Sequence, residues 1–149
     1  MVVLYAGAIS MGKMLVATGA ATWLAKNLLG VVATIGVTKG LPLLAATTTI
    51  TALSSQTMAD GPTVAVLGPI FLKLAELSGT PPEIIGIATS LGSAFSFLLV
   101  IATPANAIVY GPGFLKGVDF LKAGAPLFIF SLLLTMALAG IWWHVLGLW

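Results

Sequence analysis

The sequence predicts an all-α integral membrane protein, in which spanning helices accompany a re-entrant helical hairpin and a broken transmembrane helix. Three observations predict it. Hydrophobic residues make up 59% of the chain and charged residues 7%, against roughly 25% charged in a soluble domain, and mean hydropathy is +1.14. The polar run Ser54, Ser55, Gln56, Thr57 and Asp60 lies between apolar stretches too short to cross a hydrocarbon core of about 30 Å. A second interruption, Thr103 and Pro104 followed by Asn106, falls inside another apolar run.

The 149 residues leave room for roughly four or five membrane elements of about 20 residues and no soluble domain, so 1–149 is a single membrane domain. Residues 1–29 read as a span with an interfacial end, where Trp23, Lys26 and Asn27 gather. The N-terminus has no basic region or cleavage site of a signal peptide, so its apolar residues belong to the mature fold. Residues 41–77 read as a re-entrant hairpin with its tip at 54–60. About a dozen residues separate Pro42 from the tip, and Gly61, Pro62, Gly68 and Pro69 punctuate the second arm. Non-helical backbone survives at membrane depth only when buried in protein or lining a wet cavity.

Thr80 then offers a helix cap, with prolines and Glu83 suited to a first turn. Residues 83–110 form a broken helix, helical from Glu83 to about Ile101 and interrupted where Pro104 removes a backbone donor. Residues 123–149 form a terminal span closing in a Trp-rich belt. If the hairpin opens on the side of the Thr80 loop, Lys116 and Lys122 lie on the other. The positive-inside rule makes that side cytoplasmic and puts the C-terminus outside.

Composition also excludes. Six lysines without an arginine are scattered singly, an interfacial pattern with no nucleic-acid patch. No cysteine is present, so disulfides, thiolate metal sites and Cys nucleophiles are ruled out. The five methionines show no metal-binding spacing, and no transition-metal cluster, P-loop or nucleophile elbow can be found. An enzyme is therefore not expected. His144, between Trp143 and Val145, reads as an interfacial polar residue; Gly86, Ser90, Ser93 and Phe97 form a close-packing helix face. Lys73 and Glu76 suit a surface pair.

Ser and Thr in membrane helices commonly bond back to their own backbone, which would explain one polar interruption. Two, on different elements, point to a binding site of the kind built by discontinuous helices. Freed carbonyls there hold a cation and exposed N–H groups favour an anion.

The runs "AGAISMGKMLVATGAATWLA", "TALSSQTMADGPTVAVLGPI" and above all "SLGSAFSFLLVIATPANAIVYGPGFLKGVDFLKAGAPL" resemble the C-terminal half of the divalent anion/sodium symporters, carriers of carboxylates and sulfate. The resemblance covers nearly the whole chain and is most specific from Thr103 to Gly113, with Lys122 and Gly124 downstream. It implies one inverted repeat of an elevator-type transporter. The family's Ser-Asn-Thr tip falls on Ser55, Gln56 and Thr57, and its Thr-Pro break on Thr103 and Pro104. The resemblance further implies that Thr51, Ser55, Gln56 and Thr103 surround a sodium ion, the coupling ion, with no other cofactor. Ser55, Gln56, Thr57 and Pro104 would lie nearest the anion, a di- or tricarboxylate or sulfate.

Three positions depart from the family's pattern. Gln56 replaces Asn, Ala105 replaces a common second proline, and Asp60 stands among residues that are otherwise small. Asp60 lies one turn beyond Gln56 and is a candidate for cation binding or proton transfer. The first repeat is also absent from these residues. The expectation is a longer gene product that supplies this N-terminal half, or pairing with another chain, and a full-length homodimeric carrier in a prokaryotic plasma (inner) membrane. The alternatives are a non-transporting scaffold fragment, a proton-coupled or exchanging carrier, and a channel whose hairpin tip serves as a filter.

Overall fold

The computed structural model describes the backbone of residues 2–34 and 40–145; side chains at 2, 4, 5, 32–34 and 142–145 are outside the description. The helices are α1 (Val2–Ala17), α2 (Ala20–Thr34), α3 (Gly40–Ser54), α4 (Asp60–Ser78), α5 (Pro82–Ser93), α6 (Pro104–Tyr110) and α7 (Gly117–Val145). No strand occurs among the described residues. The expected Trp belt and His144 lie outside the described side chains.

The first segment is two helices. Chain direction turns by 78° between α1 and α2, at Gly19, whose φ of 75° is a left-handed value that glycine adopts without strain. The Thr18 hydroxyl donates to the Met14 carbonyl at 2.7 Å, occupying one acceptor where the helix ends. Beyond the bend, Trp23, Lys26 and Asn27 are exposed on α2. α1 packs mainly on α4. There Gly12 lies so close to the Ala65 carbonyl that a side chain would overlap it. Pro69, four residues on, has no N–H to give that carbonyl, so glycine and proline together create the contact.

α5 packs against both α3 and α4, and the core is the apolar contact between them: Leu43, Leu44, Phe71, Leu74, Ile84, Ile85 and Ala88 are all essentially inaccessible. Gly92 of α5 meets α3 closely, since a Cβ would stand 2.9 Å from the Thr48 carbonyl. α4 is 19 residues long, about 29 Å at 1.5 Å per residue. That exceeds the short second arm expected from the sequence. Pro62 falls in the first turn, where its missing donor costs nothing, and Pro69 is accommodated without ending the helix. By length and composition α4 and α7 are long and apolar enough to cross a membrane, with α1–α2 as a third if the bent pair is one span; α3 is shorter.

Two sequence expectations require correction here. Thr80 does not cap α5, whose N-cap is Pro81 with Pro82 at N1. Thr80 is buried, with its N–H on the Ala75 carbonyl and its hydroxyl 3.1 Å from that of Ser78. More consequentially, α5 stops at Ser93, although the sequence stays apolar to Ile101. Residues 94–103 are non-helical. The Lys73–Glu76 pair forms at 2.8 Å on the surface.

α7 packs on α3. Near its start, Gly124 lies against the Phe97 carbonyl so closely that no side chain could fit, which props the non-helical segment from outside. Ile129, Phe130, Leu133 and Ile141 are exposed, as suits a helix solvated by lipid.

Candidate functional site

The tip is a five-residue turn, Ser55–Ala59, between α3 and α4. Its N–H groups bond back one turn: Ser55 to the Thr51 carbonyl, Gln56 to Leu53, and Thr57 and Met58 both to Ser54. Hydroxyls behave alike. Thr51 Oγ1 donates to the Thr47 carbonyl at 2.8 Å, Ser55 Oγ to Ala52 at 2.9 Å and Thr57 Oγ1 to Ser54 at 3.0 Å. Each hydroxyl proton is thus committed, while the oxygen retains lone pairs. Thr51 and Ser55 are 0% accessible, whereas Thr57 is exposed.

Gln56, 3% accessible, behaves differently. Its Nε2 donates to the Ala52 carbonyl at 2.7 Å and across to the Phe95 carbonyl at 2.6 Å, and its Oε1 accepts the Leu98 N–H at 2.9 Å. Both amide protons are therefore in use, and one lone pair of Oε1 is left. A second crossing runs from Ser96. Its hydroxyl donates to Asp60 Oδ1 at 2.8 Å, with the Ser93 and Ser55 carbonyls at 3.0 and 3.4 Å. One proton cannot serve three acceptors at once, so this pocket is rich in oxygen lone pairs.

These crossings explain why α5 can end early. Helix carbonyls released at 94–103 must find donors or become a buried cost of about 1–3 kcal/mol each. Gln56 supplies Phe95. Asn106 Nδ2 supplies Ser96 at 3.2 Å and Leu99 at 3.0 Å. The Ala102 carbonyl, on a buried residue, accepts no hydrogen bond from the described residues.

Thr103 is the N-cap of α6, its Oγ1 accepting the Asn106 N–H at 3.2 Å, and Pro104 is the exposed first helical residue. Neither hydrogen-bonds to the tip. The link between the two interruptions comes earlier in the chain, through Phe95, Ser96 and Leu98, which the sequence did not single out. The available signal was Ser93 and Ser96, three apart, in a run that must somehow meet Gln56. Asp60 opens α4, where a carboxylate also complements the positive end of the helix. Among the described residues no group of three or more His, Cys, Asp or Glu could hold a metal ion.

The donor set therefore suits a hard cation, which takes oxygen ligands, better than it suits an anion. Every side-chain donor of Ser55, Gln56 and Thr57 is already engaged.

A family model described as the sodium:sulfate symporter transmembrane region matches residues 1–149. An uncharacterised transporter of Methanocaldococcus jannaschii is 32% identical over 87% of this chain and 28% of its own length. A sodium-dependent high-affinity dicarboxylate transporter of Caenorhabditis elegans is 31% identical over 68% of this chain and 18% of its own. The Na(+)/citrate cotransporter of Rattus norvegicus is 35% identical over 50% and 13% respectively. The chain thus spans little more than a quarter, at most, of these relatives. It belongs to the sodium:sulfate symporter family, a family of membrane transporters.

Proposed function

We propose that this member of the sodium:sulfate symporter family contributes one inverted repeat to an elevator-type secondary carrier, which moves small divalent anions in symport with sodium. The observation that carries the reading is the acceptor-rich tip, buried at Ser55 and Gln56. Thr51 and Ser55 offer lone pairs from buried hydroxyls, Gln56 Oε1 has one to spare, and the Ser55 carbonyl lies 3.4 Å from the Ser96 hydroxyl. Unwound backbone beside a half-helix is where such carriers hold sodium. Asp60 adds a charge at the edge of this cluster; Thr103 contributes through its cap of α6.

The anion, a di- or tricarboxylate or sulfate, would meet the exposed Thr57 and Pro104, with Ser55 buried behind the tip. Because the donors there are engaged and residues 1–149 contain no arginine, the anion at this tip needs the cation first. Charge compensation then couples the two. The names of the dicarboxylate and citrate relatives support this substrate class.

In this reading α3, about 22 Å long at 15 residues, enters the bilayer without crossing it and makes the hairpin re-entrant. The Lys116 and Lys122 loop is cytoplasmic, the C-terminus is outside, and the membrane is a prokaryotic plasma membrane. A homodimer of full-length carriers, each supplying the N-terminal half, completes the anion shell. The carboxylate at Asp60, hydrogen-bonded to Ser96, favours proton coupling as the second reading. Uptake of labelled succinate, citrate and sulfate into proteoliposomes, with sodium or choline outside, tests the proposal. Sodium-independent uptake of all three, or none at any sodium concentration in a carrier containing both repeats, would refute it.

A further inference from the structure

The Gln56 amide sits at the junction of two chain segments about forty residues apart in sequence, and its polar atoms are spent on backbone. We propose that Gln56 is a positioning residue, a clasp that fixes the hairpin tip to the non-helical segment so that both halves of the cation site hold one geometry. The proposal rests on the carrier reading for its functional consequence but not for its structural content.

Three features make the clasp. The amide donates to Phe95 O at 2.6 Å and accepts from Leu98 N at 2.9 Å, so it bridges two points three residues apart on the same non-helical segment. Its other proton goes to Ala52 O at 2.7 Å, which ties the amide plane to α3. The side chain is 3% accessible, so water does not compete for these bonds. A planar amide held at three points has no freedom to turn. Removing it leaves the part-buried Leu98 N–H without its acceptor and takes one of two donors from the Phe95 carbonyl, which keeps the Phe97 N–H at 3.1 Å, on a segment that has already left the helix.

Length is what selects glutamine. Asparagine is shorter by one methylene, about 1.5 Å. From the same backbone position, bonds of 2.6 and 2.9 Å would both be lost. With both protons on carbonyls, Gln56 cannot donate to an anion. Its contact with the transported ions is limited to the remaining lone pair of Oε1, and its larger effect is to hold the backbone at Phe95 and Leu98 against the tip.

The test is hydrogen exchange on the membrane-reconstituted protein, followed in peptides covering 94–101. Gln56→Met, which keeps length and apolar bulk, should raise exchange at Leu98 about tenfold, the loss of roughly one part-buried hydrogen bond. Amides of 84–88 in α5 should stay protected. Gln56→Asn should do the same, and it decides the matter if the methionine variant fails to fold. Half-saturating sodium for uptake should rise severalfold in whichever variant folds. Unchanged exchange at Leu98 in a folded variant overturns the clasp, whatever happens to sodium affinity. If exchange rises but wild-type uptake ignores sodium, the carrier reading falls and the clasp stands.

Discussion

Thr51 and Asp60 separate the local roles of polar residues from roles at the site. Thr51 bonds back to its own helix, as Ser and Thr in membrane helices commonly do, so Thr51→Val deletes an oxygen at nearly constant volume without orphaning a required partner. Sodium half-saturation for uptake should rise at least severalfold, with a stability loss near 1 kcal/mol. A sodium dependence identical to wild type removes Thr51 from the cation shell. Asp60 is separable in the same way. Asp60→Asn retains an oxygen to accept from Ser96, so the tip should fold as before while the loss of charge weakens sodium binding. Asp60→Leu removes the acceptor too and should also loosen the segment at Ser96, read as faster exchange there. If the asparagine and leucine variants are equally impaired in folding, the carboxylate is needed for structure and the charge argument fails.

At the scale of elements, close backbone contacts set the architecture. Gly124 against the Phe97 carbonyl and Gly92 against Thr48 are glycines because anything larger would push helices apart. Gly124→Val should cost about 1–3 kcal/mol or more by overpacking, visible as reduced yield of folded protein and a lower thermal midpoint. Gly30→Ala, at a position with open space around it, should do neither. The turn at 55–59 could be read in the sequence because polar residues between apolar arms have few places to go in a bilayer. The end of α5 could not. Ala94 to Ile101 contains no glycine or proline and has the hydropathy of continuing helix. What ends the helix is a set of donors from elsewhere, Gln56 and Asn106, whose reach across about forty and ten residues leaves no local trace. Thr103 and Pro104, for their part, stand at the start of α6, ten residues after α5 has ended, and make no hydrogen bond to the tip.

Across the described residues, apolar side chains occupy both the interior and much of the outside, and the polar groups that link separate segments meet at a seam between the tip, the start of α4 and the segment after α5. An anion shell with so few free donors needs contributions from beyond these residues. A carrier containing both repeats should therefore bind citrate or succinate measurably by calorimetry in sodium, and the 1–149 chain alone should bind sodium but at least tenfold less anion. Equal anion affinity would show that this half is sufficient. The contact of Gly12 with the Ala65 carbonyl also has a bearing on biosynthesis. About fifty residues separate the two, and at roughly 5–20 residues per second the ribosome needs about 3–10 s to deliver the second after the first. For that interval α1 waits in the insertion machinery or the bilayer with its glycine notch empty, and its seat forms only once the hairpin's second helix has followed it.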